Sequence, residues 1–554
     1  MRSDRARDLH QLHARPRRGP AAGLRLETRV KGEWEATSRL RTAGWKMVST
    51  GGLMAAVTMG AQDQLWLAMD RPHNLMVVEG ALLLDGVPDE SAVETVMQDL
   101  VDRHPVFGRR AESIHGKWSW SDDPRFRVSD HITWERFPEP VTRQYVQDFL
   151  ADRRSEPLQR DRPLWQIHMI TPVEMADGLI GTAMVARFHH AIADGVRLTQ
   201  VMLSLCEGGT AVPGTGTGTR SNQNSTISVA QRAERFADSA SSGLRQSLVE
   251  IETVAKEPSQ ALTSLPERFI SLGLRGVTEG IDLLKHPDRT LDRLDDMGAG
   301  DLRGTNNIGT VAKLLFTTAP NTAWSGEPGI AKAVAWTDPV PLQEIAATGK
   351  SLGATVNDVL LAAVAGGIDA YLQAKGAPVA EITWMVPVNV KPFADNLPAE
   401  LGNHFALVML PMPLSADETI DRVDQLHQRM SRIKHSDEAA LTFTLQQLIS
   451  SSPGPVAAGL TSFFADKAVG VLTNVPGPQA PMTFAGKKVS QVVGFAPCTG
   501  NQPMTVAIFS YDGGVTLGLA TDKQLLPDPD VLAQLILDEL QALHVQAVDV
   551  SAGS

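Results

Sequence analysis

The stretch "MVARFHHAIADGVRL", residues 184–198, sets two adjacent histidines at the end of an apolar run and an aspartate-glycine pair four residues after the second of them. The run "LIGTAMVARFHH" at 179–190 reads as a strand, and "LWQIHMI" at 164–170 reads as its antiparallel neighbour, because only a short loop containing "EMADG" joins them. His189 and His190 then fall at a strand's C-terminal end and, by strand alternation, face opposite sides. Three readings compete. A neutral imidazole at a strand end can project into a cleft and take a proton near pH 7, and only one of the two need meet a substrate. A zinc set of His189, His190 and Asp194 lacks a further ligand and a shared face, so no metal is expected. A hydrogen-bonded core histidine is the structural alternative. Asp194 lies just past the strand, where Gly195 is expected to permit a tight turn; its carboxylate then orients an imidazole or pairs with an arginine, which is support for the loop.

Working outward, 554 residues with 43% hydrophobic content exceed what one core holds, so two or more lobes are expected. The net charge of -12 argues against a polyanion-binding surface and makes nucleic acid an unsuitable partner, while leaving room for a local basic patch. Cys206 and Cys498 stand far apart and in no ligand spacing, which points to neither a disulfide framework nor a cysteine-zinc site and fits a reducing cytosol. No run of about 18 uninterrupted apolar residues occurs, so membrane contact is expected to be peripheral. Residues 1–53 are expected to form a disordered extension without function; the arginine-rich part up to residue 46 has no signal-peptide core, and Met47 and Met54 are alternative starts.

From residue 54 the texture is globular. "MAAVTMGAQDQLWLAMD" opens as a helix or turn, "NLMVVEGALLLDG" reads as a strand, and Val93, Val96, Leu100 and Val101 recur at helical spacing before Pro105. The first lobe is placed at 54–206. "EGGTAVPGTGTGTRSNQNST" at 207–226 has linker composition, and apolar residues at spacings of three and four predict amphipathic helices over 229–251 and 270–284, making 207–305 a flexible and helical linker. A second lobe is expected over 306–550, with strands at "IAKAVAWTD", "ITWMVPVNV", "HFALVMLPMP" and "AVGVLTNVP", helices at "TVNDVLLAAVAGGIDAYLQAK" and "TIDRVDQLHQRMSRIK", and a hairpin turn at Gly513-Gly514. Mixed α/β lobes result.

"HHAIADG" resembles the HHxxxDG signature of the CoA-dependent acyltransferases, which include chloramphenicol acetyltransferase and peptide-synthetase condensation domains. "PLWQIHMI", "TVNDVLLAAVAGGIDAYL", "VPVNVKP", "LGNHFALVMLPMP" and "LTNVPGPQAPMTFAGKKV", in that order, resemble the bacterial wax ester synthase/diacylglycerol acyltransferase family. The resemblance implies a two-lobed chloramphenicol acetyltransferase-like fold with a helical linker between lobes. It implies His190 as general base, with His189 as motif support and Asp194 and Gly195 holding the loop. It also carries Asn357, Asp358, Asn474, Pro163, Leu164 and Trp165 over as substrate-binding or supporting residues. Beside those roles, Trp165 reads as packing, Asn357 as a helix N-cap and Asn474 as a turn former. Where many relatives carry paired arginines before the Asn-Asp helix, this chain reads "EPGIAKAVAW", with only Lys332 nearby.

The implied reaction is direct transfer of an acyl group from acyl-CoA, a co-substrate with no permanently bound cofactor beside it, to diacylglycerol or a fatty alcohol, giving triacylglycerol or wax esters. No serine or cysteine in the HHxxxDG segment reads as a nucleophile, so no acyl-enzyme is expected. Lys487 and Lys488 are the basic candidates for the CoA phosphates. The expected location is cytoplasmic, with peripheral attachment to the inner face of the plasma membrane or to lipid inclusions as an option. Rival readings are a condensation-type enzyme using carrier-bound acyl groups and a non-catalytic lipid-binding protein.

Overall fold

The run ending in the histidine pair forms β7 (Ile180–His189), in which every residue after the first is buried because the sheet it belongs to is covered on both faces. Its neighbour is indeed antiparallel: β6 (Trp165–Glu174) places Trp165 opposite Phe188. On the other side β2 (Val77–Asp85) places Val77 opposite His189. The computed structural model describes residues 56–209 and 320–553, apart from 115–116, 177, 390–400 (save 397), 404, 417–418 and scattered positions between 436 and 453. The extension at 1–53 and almost all of the 207–305 linker, with both amphipathic helices, lie outside the described residues.

The first sheet has six strands in the order β13-β14-β2-β7-β6-β5, with β5 (Ile132–Val141) parallel to β6. β13 (Thr483–Phe484) and β14 (Lys487–Phe495) come from the C-terminal half, so 306–550 is not an undivided second lobe. The physical reason is β2's outer edge, whose backbone groups need a partner; alternation in "KKVSQVVGF" does not say which sheet takes it. The first lobe also runs past residue 206, since Glu207 and Thr483 exchange backbone hydrogen bonds of 2.8 and 3.0 Å. The same half of the chain also supplies a three-stranded sheet of β1 (Val57–Thr58), β3 (Arg109–Ile114) and β4 (Lys117–Asp122), and the helices α1 (Ala61–Met69), α2 (Glu90–Arg103) and α3 (Arg143–Arg154).

The second sheet runs β11-β10-β12-β15-β16-β8, with β9 also on β16. Its strands are β8 (Lys332–Trp336), β9 (Val340–Pro341), β10 (Glu381–Asn389), β11 (Phe405–Pro413), β12 (Gly470–Pro476), β15 (Met504–Tyr511) and β16 (Gly514–Asp522). The hairpin turn is Asp512-Gly513, one residue earlier than expected: both have positive φ, 45° and 77°, as a two-residue turn demands, and Gly514 already pairs with Tyr511. After α4 (Gly195–Ser204), the helices that follow are α5 (Leu342–Ser351), α6 (Val356–Ala374), α7 (Thr419–His435), α8 (Gly454–Ala465) and α9 (Pro529–Gly553). α6 is the centre of the second core. Gly367 lets α9 approach it closely, since a Cβ there would lie 2.5 Å from Cγ1 of Ile536. No single described helix is long and apolar enough to cross a membrane.

Candidate active site

The two histidines divide the roles that the sequence left open. His189 is satisfied: its Nδ1 accepts from the Ala191 amide at 3.0 Å, so its Nε2 carries the proton and donates to Asp70 at 3.2 Å. His190 has its backbone pinned, with its amide donating to the Met76 carbonyl at 2.8 Å and its carbonyl accepting from Asn403 Nδ2 at 3.1 Å. Its side-chain Nδ1 has no hydrogen-bond partner although the residue is only 6% exposed. The ring lies between Trp66 on α1 and Phe405 on β11, with centroids 4.4 and 5.6 Å away. Burial among these rings pushes its pKa down to about 4, against the opposing charge of Asp194. The imidazole is neutral at pH 7.

His190 lines an apolar cavity of about 180 Å³ between the two sheets. Val78, Leu82 and Phe188 form one wall, and Pro387, Leu407 and Val475 the other. The chemistry available there is a neutral base beside an apolar, alkyl-lined space.

Two residues not singled out from the sequence brace the histidine, Asn403 from the second lobe and, through it, Asp63 on α1. Asn403 Nδ2 donates to Asp63 Oδ1 at 2.8 Å as well as to the His190 carbonyl, so it ties α1, the histidine and the chain leading into β11 together. Burial raises the Asp63 carboxyl to about 6, opposed by its hydrogen bond from Asn403. The stretch "LGNHF" carried the signal, but nothing in its spacing said which lobe's residue it would meet.

Asp194 caps α4, accepting from the Arg197 amide at 2.8 Å, in agreement with a loop-supporting role. Gly195 differs from expectation. It is the first residue of α4 and has no positive φ, because the extended Asp194 (φ -69°, ψ 161°) makes the turn; a Cβ at Gly195 would meet nothing within 4 Å, and the residue lines the cavity.

The remaining candidates lie outside the cavity lining. Trp165 is fully buried, its Nε1 donating to the Phe107 carbonyl at 2.7 Å and its ring stacked on His131 at 4.6 Å, with Leu164 buried behind it and Pro163 bridged to Arg110. This is packing. Thr355, not Asn357, is the N-cap of α6, and Asp358 completes a capping box with it. Asp358 also lies 2.7 Å from His427 Nδ1. Asn474 is a strand residue inside β12 and not in a turn, and its Nδ2 donates to Asn357 Oδ1 at 3.0 Å. Thr473 and Val475 line the cavity, so alternation turns Asn474 to the other face. Replacing Asp358 by alanine is therefore expected to cost about 1–2 kcal/mol of stability with kcat and KM unchanged; a thermal melt beside initial-rate kinetics checks this, and a lost kcat at an unchanged melting temperature contradicts it.

Lys487 lies beside Gly86, at the end of β2 remote from His189. Eight residue steps along β2 separate the two ends, roughly 27 Å. Lys488 follows it on the same strand, so neither lysine sits at the histidine. Lys332 is held by Asp522 and the Gly329 carbonyl, both at 2.9 Å, which makes it a structural ion pair. Among the described residues no group of three histidine, cysteine, aspartate or glutamate side chains could hold a metal.

The site is thus a neutral imidazole facing an alkyl-lined cavity between the two sheets, and comparison with known proteins gives the family. Residues 59–275 match the profile of the wax ester synthase/diacylglycerol acyltransferase catalytic domain, and 401–544 that of the WS/DGAT C-terminal domain. A protein of Mycobacterium tuberculosis named as a probable diacylglycerol O-acyltransferase is 23% identical over 488 residues, covering 86% of this chain and 92% of that one. The O-acyltransferase WSD of Acinetobacter baylyi is 22% identical over 501 residues, covering 86% and 95%. In fold, the wax ester synthase/diacylglycerol acyltransferase from Marinobacter aquaeolei superposes with a TM-score of 0.56 at 18% identity, covering 89% of this chain and 100% of that one. This chain belongs to the wax ester synthase/diacylglycerol acyltransferase family. It is an acyltransferase, and its fold is the two-lobed one that the sequence implied.

Proposed function

We propose that this chain transfers a long-chain acyl group from acyl-CoA to the hydroxyl of diacylglycerol, and also of long-chain alcohols, with His190 as the general base and without an acyl-enzyme. The observation that carries the reading is the buried, neutral His190 imidazole at the wall of the inter-sheet cavity. The acceptor oxygen attacks the thioester carbonyl as His190 takes the hydroxyl proton; the carbon-sulfur bond then breaks and the proton passes to the departing CoA sulfur. Placing both substrates in one cavity supplies proximity, and its apolar lining disfavours water beside the thioester. The cysteines do not compete as nucleophiles, since burial pushes the thiols of Cys206 and Cys498 up to about 12 and 11. Thiol release from palmitoyl-CoA, followed with diacylglycerol and with hexadecanol in separate reactions and with the ester identified, tests this reading. Ester from either acceptor supports it, and thiol release only from a carrier-protein thioester removes the acyl-CoA donor.

The depressed pKa makes a pH prediction. His190 titrates at about 4 in the folded chain against an ordinary 6.5, so kcat/KM stays flat from pH 8 to 5.5 as far as this group is concerned. Asp63, at about 6, is the neighbouring group that titrates within that range, and the profile is therefore measured in Asp63→Asn as well. An acidic limb with a midpoint near 6.5 in both proteins contradicts the assignment. In stability the sign is fixed too: the unfolded chain protonates first as the pH falls below 6.5, so His190 destabilises the fold progressively down to about 4.

A further inference from the structure

Across the first sheet, Ala186 on β7, Gly80 on β2 and Gly494 on β14 stand directly opposite one another in register, and all three line the cavity. Val78 and Leu82 on β2, and Val492 on β14, rise on either side of this row and line the same cavity. The row crosses two strand spacings, about 10 Å, and begins four residues from His190, about 13 Å along the strand. The two glycines are not equivalent. A Cβ at Gly80 would lie 3.0 Å from the Val493 carbonyl oxygen, so backbone packing alone accounts for that glycine. A Cβ at Gly494 would meet nothing within 4 Å, so packing does not require a glycine there; what its missing side chain leaves is cavity. The other end of the same cavity is lined by His190, whose imidazole a reacting substrate must reach.

We infer that Gly494 sets the length of alkyl chain the cavity accepts: the chain of a substrate whose head lies at His190 runs into the trough over Gly80 and Gly494, and a side chain at 494 closes it. The inference rests on the acyl-transfer reading above. A long apolar chain is the one ligand that matches a trough walled by aliphatic side chains and remote from any charged group that lines it, apart from Glu79, whose carboxylate is held by Arg154 and Arg187.

The test compares wild type with Gly494→Leu and Gly494→Ala in two arms. One arm varies the donor, octanoyl-CoA against palmitoyl-CoA, with a fixed acceptor; the other varies the acceptor, octanol against hexadecanol, with a fixed donor. Gly494→Leu is expected to lower the C16-to-C8 ratio of kcat/KM by ~10-fold or more in one arm, the size of a lost fit in an apolar pocket, and Gly494→Ala to move it the same way by less. The arm that responds identifies the chain that occupies the trough. Retained C8 turnover shows that the variant is folded, and Gly494→Ala carries the test if the leucine variant is not. An unchanged ratio in both arms with turnover intact overturns the inference and leaves the transfer reading standing. Absence of turnover in wild type with every pair overturns the transfer reading instead; the trough is then read from the rise in melting temperature given by hexadecanol, which is expected in wild type and lost in Gly494→Leu. An equal rise in both proteins overturns the inference.

Discussion

His190→Ala lowers kcat/KM for ester formation by ~100-fold or more, the lower range for a lost general base. The loss is expected in kcat, with the KM for acyl-CoA little changed, because the side chain touches the proton being transferred and the cavity wall keeps its aliphatic residues. His189→Ala acts differently. Its ring is bonded on both nitrogens, to Asp70 and to the Ala191 amide, so its loss lowers the melting temperature before it touches the chemistry. Initial rates beside thermal melts of the two variants separate the roles. Full activity in His190→Ala, or lost activity in His189→Ala at an unchanged melting temperature, contradicts the division.

Glu79→Ala is expected to cost roughly 3–5 kcal/mol of stability, the cost of breaking a buried ion pair from one side. Glu79 and Arg187 are each only 1% exposed in their side chains, and the carboxylate receives Arg187 Nε at 2.9 Å and Arg154 Nη1 at 2.7 Å. The remaining guanidinium groups also donate to the Ala496, Glu156 and Gln166 oxygens, which fixes them where they are. Removing the carboxylate therefore leaves two cations facing each other in a low-dielectric sheet face, with no freedom to retreat to water. The network also joins the chain on both sides of the crossover, since Arg154 closes α3 and Ala496 follows β14. Calorimetric melting of Glu79→Ala and Glu79→Gln measures the effect. A shift in the alanine variant equivalent to under about 1 kcal/mol shows that the arginines find other partners, at the level of an exposed pair.

Much of this site was legible in the sequence. The strand that ends in the histidines and its antiparallel neighbour followed from an apolar run and a short loop, whereas the helix after them and its cap at Asp194 did not, since Asp194 read only as an imidazole or arginine partner. What was not legible depends on partners far away in the chain. Gly195 looked like a turn residue because glycine is the usual source of positive φ, yet the turn is made by an extended Asp194. Asn357, Asp358 and Asn474 belong together, but facing was the property that a motif could not give: the α6 cap and β12 alternation turn them from the cavity. The crossing of β14 into the first sheet left no mark in its own pattern, which alternates as well for one sheet as for the other. Asn403 and Gly494 matter through what stands opposite them, and only the assembled lobes place Asp63 and Gly80 there.

Rapid-quench measurement of CoA release from palmitoyl-CoA, with and without acceptor, distinguishes direct transfer through His190 from transfer by way of an acyl-enzyme. Direct transfer gives thiol release only when acceptor is present, equimolar with ester, and no acylated protein by intact-mass analysis. A burst of thiol stoichiometric with enzyme in the absence of acceptor, accompanied by an acyl-protein adduct, would contradict it.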